Sequence, residues 1–254
     1  QAQMSFWQKD SPIGALQGFN SQMPSVMDFT LHDAMMQAWK EQEQGWDQGM
    51  VRFYENFTQD YLYANPQNLL VFMENHDTQR FNESYPDIAD YKMALALIAT
   101  TRGIPQIYYG SEIGMGGDKG KGGDADIRQD FPGGWKGDTQ NAFTNEGRTE
   151  TQKAYYDFTS TLFNWRKNKS VIHNGKMTHY IPENNVYVYF RHNEKESVMV
   201  VINNHSEKQT FGLNRFKENT KNYTKGKNIF DKKTFNLNID LEIEGKGILI
   251  LELE

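Results

Sequence analysis

The stretch LLVFMENHDTQRF, residues 69–81, decides how this chain is read. Leu69 to Met73 form an unbroken apolar run, as expected of a strand covered on both faces. Polar Glu74, Asn75, His76 and Asp77 follow at once, and Tyr91 to Thr101 (YKMALALIATT) then reads as a helix. The pattern recurs on both sides. Upstream, Pro24 to Phe29 (PSVMDF) reads as a short strand before an amphipathic helix from Leu31 to Met50, with Thr30 as N-cap and Asp33 three residues on as in a capping box. Downstream, Ile104 to Tyr109 (IPQIYY) is a third strand, and Thr151 to Lys167 a helix carrying Tyr155, Phe158, Leu162 and Trp165 on one face. Repeated strand–helix units predict parallel sheet, and in such folds chemistry sits just past the carboxyl ends of the strands.

The texture changes near the turn-rich stretch Asn168 to Gly175, where period-2 patterns take over. Val186 to Arg191 (VYVYFR) and Ser197 to Ile202 (SVMVVI) flank a polar turn and read as a hairpin. Further strands are expected at Thr234 to Leu237, Ile239 to Ile243 and Ile248 to Leu253, while the Lys-rich stretch Lys217 to Lys233 reads as solvated loops. The expectation is α/β plus all-β: residues 1–170 as one domain and 171–254 as a small antiparallel β-sandwich.

Composition removes several function classes. The chain has 254 residues and a net charge of −6, so it lacks the basic field that holds nucleic acid. Its longest apolar run, Met93 to Ala99, is far shorter than the roughly 20 residues of a membrane-spanning helix. With no Cys, disulfide scaffolds, thiolate nucleophiles and cysteine zinc sites are excluded. The first residue is Gln1 and no signal peptide follows, so the chain reads as processed or a fragment.

Three places carry chemistry. His76 and Asp77 at a strand's carboxyl end offer an imidazole donor beside a carboxylate, a combination suited to adjacent sugar hydroxyls; the alternative is a cluster that caps the next helix. The Gly-rich segment Gly110 to Gly147 contains Asp118, Asp124, Asp126, Arg128 and Asp130, then FPGGW. A phosphate loop fails there because Lys121 is followed by Gly122, and a flexible surface loop is the plain alternative. No cofactor is expected; calcium binding by these aspartates is left open, the EF-hand spacing being absent. Tyr108, Tyr109, Phe131 and Trp135 are rings that would stack on sugar faces or pack beneath the loop. No two of the six histidines are spaced as zinc ligands, and no GxSxG elbow is present.

These residues form a pattern. MENHDTQRF (73–81), followed by TTRGIPQIYYGSEIGM (100–115), resembles the last two strand regions of the α-amylase superfamily, glycoside hydrolase family 13. PSVMDF (24–29) is similar to its sixth barrel strand. IRQDFPGGW (127–135) and the passage from Arg166 to Arg191 resemble the neopullulanase and cyclomaltodextrinase branch. The resemblance implies a TIM (β/α)8 barrel, here its strands six to eight, followed by a C-terminal β-sandwich. It implies a retaining α-glucan hydrolase cleaving α-1,4 bonds, acting on an α-glucan oligosaccharide or cyclodextrin, with a periplasmic or secreted address. Asp77 would be the carboxylate that stabilises the transition state. His76 would donate to the same sugar, Arg128 and Asp124 would hold a sugar further along, and Glu112 would be structural.

One departure matters as much as the match. Retaining glycosidases need a nucleophile and an acid/base about 5–5.5 Å apart. The family carries them after its fourth and fifth strands, and neither string occurs here. The chain therefore reads as a C-terminal part that needs a missing N-terminal barrel half as partner, since three strands leave open edges. A transglycosylase and a non-catalytic glucan-binding protein are the rival readings.

Overall fold

The computed structural model describes residues 1–41 and 45–254. Among these, the first helices are α1 (Ala2–Phe6), α2 (Pro12–Ala15), α3 (Phe29–Ala38) and α4 (Val51–Thr58). Strand β1 (Leu70–Phe72) follows, then α5 (Phe81–Ser84), α6 (Ile88–Thr100) and strand β2 (Ile104–Gln106). Next come α7 (Lys119–Ile127), α8 (Glu150–Lys167) and α9 (Ser170–Asn174). The remainder comprises β3 (Lys176–His179), β4 (Val186–His192), β5 (Ser197–Asn203), β6 (Gln209–Phe211), α10 (Lys217–Thr220), β7 (Lys225–Asn228), β8 (Thr234–Asn236), β9 (Leu241–Ile243) and β10 (Gly247–Leu253).

β1 and β2 pair in parallel, with Leu70 opposite Ile104, and Met27 adds a parallel bridge to Leu70 on the other side. The expected strand over 24–29 is thus a single bridge. The helix after it is capped by Asp28 rather than Thr30: the Asp28 carboxylate accepts from the Leu31 amide at 3.0 Å and the Thr30 hydroxyl at 2.7 Å. The long helix expected over 31–50 ends at Ala38, and α4 begins at Val51; residues 42–44 of that expectation lie outside the described residues. Between α6 and β2 the chain reverses at Gly103, whose φ of +98° and closeness to the Leu69 carbonyl exclude a Cβ.

Arg102, beside that turn, is buried. Its guanidinium donates to Asp28 Oδ2 at 2.5 Å and, through Nε and Nη2, to Asp60 at 2.8–2.9 Å. Burial alone would lower its pKa, but the Asp28 and Asp60 carboxylates raise it above the ordinary value. The ion triad ties the residue after the Met27 bridge, the end of α4 and the start of β2 into one unit.

The C-terminal strands form a six-stranded antiparallel sheet in the order β3-β4-β5-β10-β7-β8 and a two-stranded sheet β6-β9. One face of the large sheet, through Val188, Phe190, Met199, Val201 and Leu251, packs on Phe211, Leu241 and Ile243 of the small one. Its other face, through Tyr187, Tyr189, Val200, Ile202 and Ile250, joins the core built around α6. β4 and β5 are therefore buried on both faces, which is why their sequences are nearly continuous in apolar residues. Arg191 fastens this junction: its guanidinium donates to the carbonyls of Thr100, Thr101, Ile172 and Gly175, and burial pushes its pKa down to about 10. The Lys-rich stretch expected as loops contains α10 and β7, a strand because β10 offers it an open ladder edge.

His179 in β3 lies against the rings of Tyr54 and Phe57, with Nδ1 2.9 Å from the Tyr187 hydroxyl. Burial lowers its pKa from 6.5 to about 4. The folded state thus keeps the ring neutral, while the unfolded chain takes up a proton below 6.5. Its contribution to stability is present above that value and lost as pH falls through about 4. Thermal melts from pH 7 to pH 4 are expected to fall less steeply for His179→Gln than for the parent; equal slopes would refute the assignment.

Candidate functional site

The loop after β1 is tied from within. Asn75 Oδ1 accepts the Asp77 amide at 2.8 Å, and Thr78 Oγ1 accepts the Asn75 amide at 2.9 Å. These turns point His76 and Asp77 outward, each with more than half its side chain exposed, and set His76 Nε2 3.3 Å from Asp77 Oδ2.

Residues 110–147, expected to be loop throughout, contain α7. Asp118 caps it by accepting from the Gly120 amide at 2.9 Å, and Gly123, at φ +66°, breaks it. This helix brings Asp124 and Arg128 to the loop after β1. Arg128 Nη2 donates to Asp77 Oδ1 at 2.9 Å and to Asp124 Oδ2 at 3.0 Å, while its Nε donates to the His76 carbonyl at 2.9 Å. Lys119 joins them, its Nζ donating to the Asp77 carbonyl at 2.5 Å and lying 3.3 Å from Asp124 Oδ1. All four residues singled out from the sequence thus meet at one place, with Lys119 as a member that sequence reading missed. Its signal was present but weak: it is one of two lysines in a run of glycines.

This cluster is open to water, where such ion pairs contribute little to stability, about 0–1 kcal/mol each. A ligand hydroxyl that accepts from Arg128 or donates to Asp77 can replace them at small cost. Two carboxylates, an imidazole, a guanidinium and an ammonium within hydrogen-bond reach suit a polyhydroxylated ligand, which offers donors and acceptors on neighbouring carbons. Among the described residues, no group of three or more His, Asp or Glu side chains is arranged to hold a metal ion.

Glu74, quoted with His76 and Asp77 as one string, behaves differently. It is buried, and its carboxylate accepts from Arg80 Nη1 at 3.2 Å, from the Phe81 amide and from the Ser111 hydroxyl. Burial raises its pKa against the opposing pull of those donors. The rings divide likewise. Tyr108 covers the buried Arg80 guanidinium, 4.0 Å from its centroid, and Tyr109 donates its hydroxyl to the Gln129 carbonyl at 2.6 Å. Trp135 is 67% exposed, and Phe131 packs on Phe143 with ring centroids 4.4 Å apart. Trp135, Phe143 and Tyr109 are the exposed rings of this region and can meet a ligand face.

The chain is similar to known proteins. The description of the cyclo-malto-dextrinase C-terminal domain matches residues 177–252. A cyclomaltodextrin glucanotransferase of Bacillus sp. (strain 38-2) is 35% identical over 108 residues, which are 42% of this chain and 14% of that protein. A cyclomaltodextrinase of Thermoanaerobacter pseudethanolicus is 27% identical over 197 residues, 76% of this chain and 31% of that protein. The α-amylase of Geobacillus thermoleovorans, solved with acarbose, superposes with a TM-score of 0.72 at 22% identity, over 91% of this chain and 48% of that one. This last likeness speaks for the fold alone. The chain spans less than a third of the length of these curated relatives and about half of the solved structure.

Proposed function

We propose that this chain is the C-terminal part of an α-amylase superfamily member, a retaining α-glucan hydrolase cleaving α-1,4 bonds, a reading supported by the matched C-terminal domain and by the cyclomaltodextrinase relative. In this reading residues 1–170 supply strands six to eight of a (β/α)8 barrel, and residues 171–254 the β-sandwich behind it. The bridge at Met27, β1 and β2 stand for the three strands in order. The nucleophile and acid/base come from the remaining barrel half, whose packing would cover Trp7, Leu16, Met23 and Ile104, apolar side chains that are about half or more exposed.

The observation that carries the proposal is the meeting of His76, Asp77, Asp124 and Arg128 past the carboxyl end of β1. Asp77 holds the hydroxyls of the sugar at the cleaved bond and favours its flattened, positively charged transition state over the ground state. His76 donates to that sugar. Arg128, placed by Asp124, grips the chain further along. The ligand class is an α-glucan oligosaccharide or a cyclodextrin, in keeping with a relative named cyclomaltodextrinase and a neighbour solved with acarbose.

The test is incubation of the complete enzyme with maltoheptaose, followed by NMR of the freshly released ends. Products of α configuration are expected; β products, or no cleavage of any α-glucan, refute the proposal. Arg128→Ala is expected to raise KM about tenfold, the worth of a charge-assisted hydrogen bond, with kcat changed less. An unchanged KM removes Arg128 from the sugar.

The relatives named as glucanotransferases favour a second reading, in which the glycosyl group passes to a sugar rather than to water. Longer oligosaccharides among the products of maltoheptaose would select it.

A further inference from the structure

Arg80 is the most connected buried side chain near the site. It is fully buried, and no role in recognition follows from its position in the sequence. Its fork reaches three separate segments. Nη1 donates to Glu74 at 3.2 Å, at the base of the loop that carries His76 and Asp77. The same Nη1 donates to the Tyr109 carbonyl at 2.8 Å, in the segment after β2. Nε donates to the Ile127 carbonyl at 3.0 Å, one peptide before Arg128.

The loop itself is closed at this point. The Glu74 carboxylate accepts the Phe81 amide, so residues 74–81 return to their own base, with Asp77 at the far side. The excursion that carries Lys119, Asp124 and Arg128 also begins and ends here. At Gly117, φ +155°, a Cβ would stand 3.1 Å from Arg80 Cγ and 2.5 Å from the Asp126 carbonyl oxygen, so only glycine lets the chain pass. At the other end lies Ile127, held by Nε.

We propose that Arg80, anchored by Glu74, is a positioning residue that fixes the spacing between Asp77 and Arg128. It touches no ligand; it sets where the two groups that do so stand. The inference rests on the α-glucan reading of the site. Its physical basis is the planar guanidinium, which serves three acceptors in fixed directions, whereas a lysine ammonium is a single point on a flexible stem. Arg80→Lys keeps the charge against Glu74 and most of the packing under Tyr108 but gives up the fork. A misplacement of about 1 Å between binding groups is enough to lower kcat/KM on the order of 10- to 100-fold.

The experiment is a double-mutant cycle in the complete enzyme: parent, Arg80→Lys, Arg128→Ala and the double variant, assayed on maltoheptaose with folding checked by circular dichroism. Arg80→Lys is expected to lower kcat/KM at least tenfold in the parent, and this penalty is expected to shrink at least threefold when Arg128 is already absent. A penalty that carries over undiminished means a general structural role and overturns the proposal. If Arg80→Lys fails to fold, Glu74→Gln takes its place in the same cycle; failure of both to fold also overturns it. No action of the parent on any α-glucan refutes the functional reading and this inference together, whereas an active parent with additive penalties refutes the inference alone.

Discussion

Asp77→Asn in the complete enzyme is expected to reduce kcat on maltoheptaose by about a thousandfold, with little change in melting temperature. The substitution keeps shape and removes charge. The side chain is 60% exposed, and its partners are the half-exposed His76 and Arg128, so the folded state loses only weak surface pairs. The backbone that presents it is held by Asn75 and Thr78 and is untouched. On the proposed α-glucan reading, what disappears is a negative charge facing a sugar ring that becomes positive as its bond breaks, an interaction stronger in the transition state than in the ground state. A thousandfold loss corresponds to about 4 kcal/mol at the barrier. KM is expected to move far less than kcat. Turnover within tenfold of the parent would take Asp77 out of the reaction.

Arg102→Met is expected to destabilise the complete protein by about 3–5 kcal/mol, a fall in melting temperature on the order of 10 °C. Asp28 is fully buried and Asp60 largely so, and Arg102 is the cation facing both. Removing it strands two carboxylates in the interior, which costs more than the ion pairs were worth. Asp28 also caps α3 and sits beside the Met27 bridge, so the damage reaches the edge of the parallel strands. Adding Asp60→Asn to Arg102→Met is expected to recover part of the loss, because one stranded charge is removed. A fall of less than 3 °C for Arg102→Met alone would show that the interior carboxylates are neutralised by other means.

The two outcomes separate what each cluster does. Asp77 sits among pairs that water can replace, and in the proposed function its removal is felt by the ligand. Arg102 sits among pairs that are mostly shut away from water, and its removal is felt by the fold. Both clusters contain an arginine and two aspartates. They differ in burial: one is open to water and the other lies mostly in the interior.

Elements with strong apolar patterns were legible in the sequence. Leu69 to Met73 predicts β1, YKMALALIATT predicts α6, and the ring spacing over 151–167 predicts α8, which a Thr149–Gln152 capping box starts one residue earlier, at Glu150. The hairpin β4–β5 follows from its own residues as well. Elements that depend on distant partners were not legible. Lys225–Asn228 (KGKN) has no strand pattern and pairs because β10 and β8 lie on either side of it. Lys119–Ile127 contains three glycines, a composition that opposes helix, and is held by its Asp118 cap and by ion pairs to the neighbouring loop. Asp28 displaces Thr30 as cap because its carboxylate is also committed to Arg102, a residue 74 positions away.

By itself the sequence determined which segments prefer strand or helix, where polar groups follow apolar strands, and that His76 and Asp77 share one loop. These depend on periodicity and on neighbours a few residues apart, which the order of residues records directly. Only the tertiary structure decided that Arg128 and Asp124, some fifty residues on, close onto that loop, that Lys119 joins them, and that Glu74 turns inward to Arg80 while its neighbours face water. The reason is that burial and electrostatic pairing depend on distance in space. A carboxylate in the interior and one at the surface are spelled with the same letter.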